Sequence, residues 1–92
     1  MPRTIHKYPL KPSGEQPLPL PRGSRVLSAV EQNNSIVVYA EVDDQQQETE
    51  THTLYVYGTG HVLDHNGGAA KFIDTVKVGP YVFHVYHLPA VG

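Results

Sequence analysis

Arg25-Val26-Leu27-Ser28-Ala29-Val30-Glu31-Gln32-Asn33-Asn34-Ser35-Ile36-Val37-Val38-Tyr39-Ala40-Glu41-Val42 reads as two β-strands joined by a two-residue turn. Branched and aromatic residues, which suit a pleated surface, fill both arms. Alternation places Ile36, Val38, Ala40 and Val42 on one face of the second arm, with Val37, Tyr39 and Glu41 on the other. The same rule groups Leu27 with Ala29 in the first arm, and Val26 with Ser28 and Val30. Asparagine tolerates a positive φ better than most residues, so Asn33-Asn34 suits a tight hairpin.

The rest of the chain follows the same grammar, and helix signals are almost absent. Thr4 to Leu10 reads as a first strand. Lys11 to Gly23 carries Pro12, Pro17, Pro19 and Pro21, while Leu18 and Leu20 share one side. Proline cannot donate to a ladder, so this proline-rich segment is expected at a sheet edge or as an extended loop. Asp43 to Glu50 is polar and acidic and reads as a hairpin connection. Thr51 to Tyr57 is a further strand, with His52, Leu54 and Val56 on one face and Thr53, Tyr55 and Tyr57 on the other. Val62 to Ala70 reads as a loop with room for one helical turn. Phe72 to Val78 and Tyr81 to Leu88 are strands joined at Gly79-Pro80, and residues 89–92 form a loose tail. The expectation is a single all-β domain over residues 1–92. Its roughly six or seven short strands, mostly in hairpins, would build a small antiparallel sandwich or a partly open barrel.

Composition narrows the function classes. A chain of 92 residues buries only roughly 60–65% of its unfolded surface, so association would help it and an oligomer is expected. A formal net charge of −2 gives no bulk basic field, and no direct nucleic-acid contact is expected. The charges are nevertheless segregated. Arg3, Lys7, Lys11, Arg22 and Arg25 face one acid, Glu15, in the first part of the chain, while Glu41 to Glu50 holds acids and no cation. This pattern reads either as two solvated faces or as a dipolar surface. There is no cysteine, so neither disulfides nor thiolate metal sites enter. No apolar run reaches the roughly 20 residues of a membrane helix. Met1-Pro2-Arg3-Thr4 lacks the apolar stretch of a signal peptide, so a cytoplasmic protein without membrane contact is expected.

The least ordinary segment is Tyr55-Val56-Tyr57-Gly58-Thr59-Gly60-His61. Two glycines around a threonine, directly after a strand, permit close approach of a ligand to the backbone. Successive N–H groups there would form an anion nest, with the Thr59 hydroxyl and His61 adding contacts. The lysine and spacing of a P-loop are missing. The competing reading is a bulge or tight turn demanded by the sheet.

Other candidates are weaker. His61 and His65 with Asp64 offer metal ligands, but the region looks like a loop, and no metal site or cofactor is expected. His84 and His87 fall on opposite faces of their strand and cannot chelate one ion together; His84 alternates with Val82 and Tyr86 and reads as a half-buried, hydrogen-bonded core histidine. Six tyrosines give a polar-handled aromatic set. Tyr39, Tyr55 and Tyr57 suit either a stacking platform or a second core layer beneath the proline-rich segment. No serine sits in a nucleophile elbow, so no catalytic residue is assigned and an enzyme is not expected. Asp74 shares a face with Phe72 and Val76 by alternation and needs a donor such as Thr75, a backbone N–H or a histidine.

Taken in order, His6-Lys7-Tyr8-Pro9-Leu10, Leu18-Pro19, Gly23, Val26-Leu27, Gln32-Asn33, Gly58-Thr59-Gly60-His61 and Phe83-His84-Val85-Tyr86 resemble a family of small phage-encoded proteins without an assigned activity. The resemblance spans nearly the whole chain. It implies a phage accessory protein acting in the host cytoplasm, and it carries no reaction. Two binding mechanisms fit. In the first, the domain sequesters a nucleotide-derived defence signal: Gly58, Thr59, Gly60 and His61 hold phosphate, Tyr55 or Tyr57 stacks the base, and Arg22, Arg25 or Lys71 neutralises charge. His84 belongs to the same candidate ligand set. In the second, the acidic Glu41–Glu50 segment inhibits a host defence protein such as a CRISPR effector by mimicking nucleic acid. A phage structural or assembly module is the remaining class.

Overall fold

A computed structural model describes residues 2–64 and 69–90. It contains seven strands: β1 (Thr4–Leu10), β2 (Gly14–Pro21), β3 (Arg25–Gln32), β4 (Ser35–Val42), β5 (Thr49–Gly58), β6 (Lys71–Val78) and β7 (Tyr81–Leu88). They form two antiparallel sheets, β1-β4-β3 and β2-β5-β7-β6, packed as a small sandwich that does not close into a barrel. The all-β expectation holds.

The Asn33-Asn34 hairpin is present: Gln32 pairs with Ser35, and both asparagines have positive φ, 52° and 62°. That is the backbone a two-residue turn needs to follow strand twist. The proline-rich segment is an edge strand. β2 pairs only with β5, its leucines turn inward, and Pro17 and Pro19 are exposed.

Three expectations change. The Asp43 to Glu50 segment is not a hairpin connection, because it leaves β4 in one sheet and enters β5 in the other. Among the described residues, only β3–β4 and β6–β7 are hairpins between neighbours in sequence. The strand after the acidic segment also starts earlier, at Thr49, where the chain meets Pro21.

The third change concerns which side chains face the core. β3 carries a register shift between Val26 and Ser28, and β6 carries one between Phe72 and Asp74. A bulge adds one residue and reverses alternation beyond it. Val26 and Ala29 therefore both reach the core, while Leu27 is 37% exposed. In β6, Phe72 is exposed and Asp74 joins the inward face with Val76. The donor that Asp74 needs is the backbone N–H of Ala29, at 3.0 Å, in the opposite sheet. Leu54, Val56, Val38 and Val85 fill the centre between the sheets and are essentially inaccessible.

Candidate functional site

The Gly58–His61 turn ends β5 at one end of the sandwich. Much of its backbone is already engaged. The Thr59 N–H donates to the Val82 carbonyl at 3.2 Å, and the His61 N–H donates to the Gly58 carbonyl at 3.1 Å. Two donors of the expected anion nest are thus spent inside the molecule. Each glycine has a local reason. A Cβ on Gly58 would meet the His61 ring at 3.0 Å, and Gly60 has φ of +90°, a conformation that L side chains rarely adopt.

His84 lies on the outward face of β7 rather than in the core. Its Nε2 is 2.8 Å from the Thr59 hydroxyl, and its Nδ1 is 3.1 Å from the Thr75 hydroxyl. This ring ties the turn to β6 and β7. It also forms a hydroxyl–imidazole contact of the kind nucleophilic catalysis uses. The outer partner is a neutral hydroxyl, however, and cannot stabilise an imidazolium as a carboxylate does.

The tyrosines separate. Tyr39 belongs to the other sheet, so no joint platform forms. Tyr55 and Tyr57 lie on the outer face of β5 yet are only 3% and 5% exposed, packed with Ala70, Tyr86 and Leu88. They form a second core layer, as one expectation held. Asp64 and Ala70 contact this layer, whereas the proline-rich segment lies beside it in the same sheet. The Tyr57 hydroxyl donates to Asp64 Oδ1 at 2.8 Å. Burial first, and then this carboxylate, push the Tyr57 phenol up to about 12.

Arg25 stands at the other end of the molecule. It opens β3 just after the turn that follows Pro21, which pairs with Thr49 at the start of β5, whereas Gly58 ends β5. That strand spans about 30 Å at the usual rise per residue, so Arg25 and the glycine turn cannot hold one small ligand. Arg22 is at that far end too, paired with Glu48. Lys71 begins β6, also away from the turn.

What the sequence did not reveal is a pair of clefts at the Gly58 end. One, of about 600 Å³, opens between the sheets and is walled by Leu10, Pro12, Ile36, Val78, Tyr81 and Phe83. The second, of about 470 Å³, lies beside it between Gly58, Thr59, His61 and the Pro80–Phe83 segment. Tyr81 and Phe83 line both. Tyr81 is 66% exposed, and the two rings lie 6.4 Å apart. The Gly58–His61 turn singled out in the sequence forms part of the second cleft; the signal for the aromatic wall was the Gly79-Pro80 turn, which sets Tyr81 at the start of β7.

Among the described residues, no group of three or more His, Asp or Glu is gathered as metal ligands. His65 lies outside the described residues. The acidic segment is engaged within the chain. Arg3 pairs with Glu41 at 2.6 Å, His6 with Asp44 at 3.2 Å and Arg22 with Glu48 at 3.6 Å. Asp43 accepts from the Gln45 N–H, and Glu50 accepts from the Gly23 N–H. Two of the five early cations, Arg3 and Arg22, thus pair with acids of this segment, while Lys7 bonds Gln32 instead.

With this geometry in view, residues 1–91 match a family model described as a domain of unknown function, DUF7352. The chain belongs to that family. No curated protein and no solved structure matches it.

Proposed function

We propose that this domain is a non-catalytic binding module whose ligand seats at the Gly58 end of the sandwich. The observation that carries the reading is the sharing of Tyr81 and Phe83 between two adjoining clefts. Both clefts are mostly apolar; the first adds Asn34 and Ser35, the second the Thr59 hydroxyl and the His61 imidazole. A flat ring with a polar substituent matches this pairing. The ring stacks on Tyr81 or Phe83 at small entropic cost, and the substituent meets Thr59 and His61. A nucleotide-like molecule has that shape. In a phage accessory protein it would be a defence signal held out of circulation in the host cytoplasm.

This reading moves the stacking role from Tyr55 and Tyr57, which are buried, to Tyr81 and Phe83. It keeps Gly58, Thr59, Gly60 and His61 as the polar wall, with His84 behind Thr59. Mimicry of nucleic acid by the acidic segment is the second reading: Asp44 and Glu48 keep exposed carboxylates, although Glu41 and Glu48 are partly offset by Arg3 and Arg22.

The test is thermal melting of the protein with cyclic dinucleotides, cyclic oligonucleotides and ADP-ribose derivatives. A specific ligand at about 100 times its Kd stabilises the native state by about 2.7 kcal/mol. Tyr81→Ala should abolish that shift while leaving the unliganded Tm nearly unchanged, because Tyr81 is exposed. No shift with any of these compounds would overturn the nucleotide reading.

A further inference from the structure

At the opposite end of the core, two histidines meet. His52 of β5 and His87 of β7 lie with near-parallel rings, 15° apart, and centroids separated by 5.1 Å. His52 Nδ1 is 2.8 Å from His87 Nε2. The His52 side chain is 5% exposed, and its other nitrogen, Nε2, has no hydrogen-bond partner. Glu50 Oε2 stands 3.9 Å from that nitrogen, while Glu50 Oε1 accepts from the Gly23 N–H at 2.7 Å.

Electrostatics favours one arrangement of the protons in this pair. A short N···N contact needs one hydrogen and one lone pair. If His52 carried its hydrogen on Nδ1, a bare Nε2 lone pair would face the Glu50 carboxylate. With the hydrogen on Nε2, His52 points a positive edge at Glu50 and accepts the His87 Nε2–H at Nδ1. The order is then Glu50 carboxylate, His52, His87, with His87 Nδ1 as the open acceptor at the end.

We propose that Glu50, His52 and His87 form a one-proton acid relay. The incoming proton binds His87 Nδ1. The hydrogen on His87 Nε2 passes to His52 Nδ1. His52 becomes an imidazolium facing Glu50, and His87 stays neutral with its outer nitrogen turned from acceptor to donor. One proton enters, one hydrogen shifts, and neither ring rotates. A second proton would put hydrogens on both facing nitrogens and break the pair, so the two histidines titrate as a unit. The charged groups around them are few. Glu50 lies on the same strand, and Lys71 of β6 is in register with His87. Around the neighbouring Leu18 and Leu20 the facing sheet presents Val26, Ala40, Val42 and the phenol of Tyr8. Burial lowers both histidines, and Glu50 opposes that lowering at His52. The relay is independent of the cleft reading.

The test is long-range ¹H–¹⁵N NMR of the histidine rings in the full chain as the pH is lowered from neutrality. At neutral pH both rings should be protonated at Nε2 alone. After the first step His52 should carry both hydrogens and His87 only that on Nδ1. Glu50→Gln should move the first step down by about one pH unit, with backbone amide spectra checking that the fold is kept. If that variant does not fold, the wild-type ring assignments decide alone. A hydrogen on His52 Nδ1 at neutral pH, or two independent titrations near the ordinary histidine value, would overturn the proposal.

Discussion

Asp74 Oδ2 accepts the backbone N–H of Ala29 at 3.0 Å, and this hydrogen bond joins the edge of one sheet to the edge of the other. Both residues sit just past bulges, one in β3 and one in β6. The bulges turn Ala29 and Asp74 toward each other. Removing the carboxyl strands a partly buried N–H, so Asp74→Ala should cost about 1–3 kcal/mol. Asp74→Asn retains an acceptor and should recover about half of the loss. Urea denaturation of the two variants measures both. Equal stability of Asp74→Ala and wild type would contradict the link.

The bulge in β3 makes a second claim measurable. Plain alternation gives Leu27 and Ala29 the same status, yet Leu27 is 37% exposed and Ala29 is buried. Leu27→Ala should therefore cost under about 1 kcal/mol, within the range of exposed substitutions. Leu54→Ala, at a fully buried site, should cost about 2–5 kcal/mol. Comparable losses at the two positions would show that Leu27 is core.

Tyr57 predicts an alkaline signature. Its phenol, raised to about 12 in the fold, ionises near 10 in an unfolded chain. A folded acid that holds its proton longer contributes stability below pH 10, which is lost as the pH climbs toward 12. Ultraviolet titration of the tyrosines should show a late phase that Tyr57→Phe lacks. Asp64→Asn should bring that phase earlier, because it removes the carboxylate that accepts the phenol hydrogen. A late phase unchanged in Tyr57→Phe would assign it elsewhere.

The histidine pair predicts the acid side. Burial, then His52 and Lys71, hold His87 down to about 4, from 6.5 ordinarily. Burial lowers His52 as well, against the pull of Glu50. Between pH 6.5 and 4 the unfolded chain binds more protons than the folded one. The stability from keeping these rings neutral is thus complete above pH 6.5 and declines as the pH falls toward 4. The loss should amount to about 2 kcal/mol after allowing for partial exposure. Urea midpoints from pH 7 to pH 5 measure it ahead of most carboxylate titration. His87→Gln should flatten that dependence, and a flat wild-type curve over the same window would refute it.

Alternation and turn chemistry were legible in the chain itself. Branched residues at every second position, Asn33-Asn34, and the prolines of β2 determined strands, one hairpin and one edge. These signals are local, carried by backbone preference and side-chain period. Partnership was not legible. Nothing near Asp43 to Glu50 tells whether the chain turns back within a sheet or crosses to the other. Bulges at Val26–Ser28 and Phe72–Asp74 leave no mark in the alternation. The contacts His52 to His87 and Asp74 to Ala29, and the cleft that Tyr81 shares with Leu10 and Ile36, bring together residues far apart in sequence. Only the packing of the two sheets, which buries their apolar faces and pairs most of the polar groups caught between them, decided them. The glycine turn shows both levels: its two glycines announced an unusual backbone, and the fold showed that much of it is occupied by the turn's own hydrogen bonds and by the ring of His61.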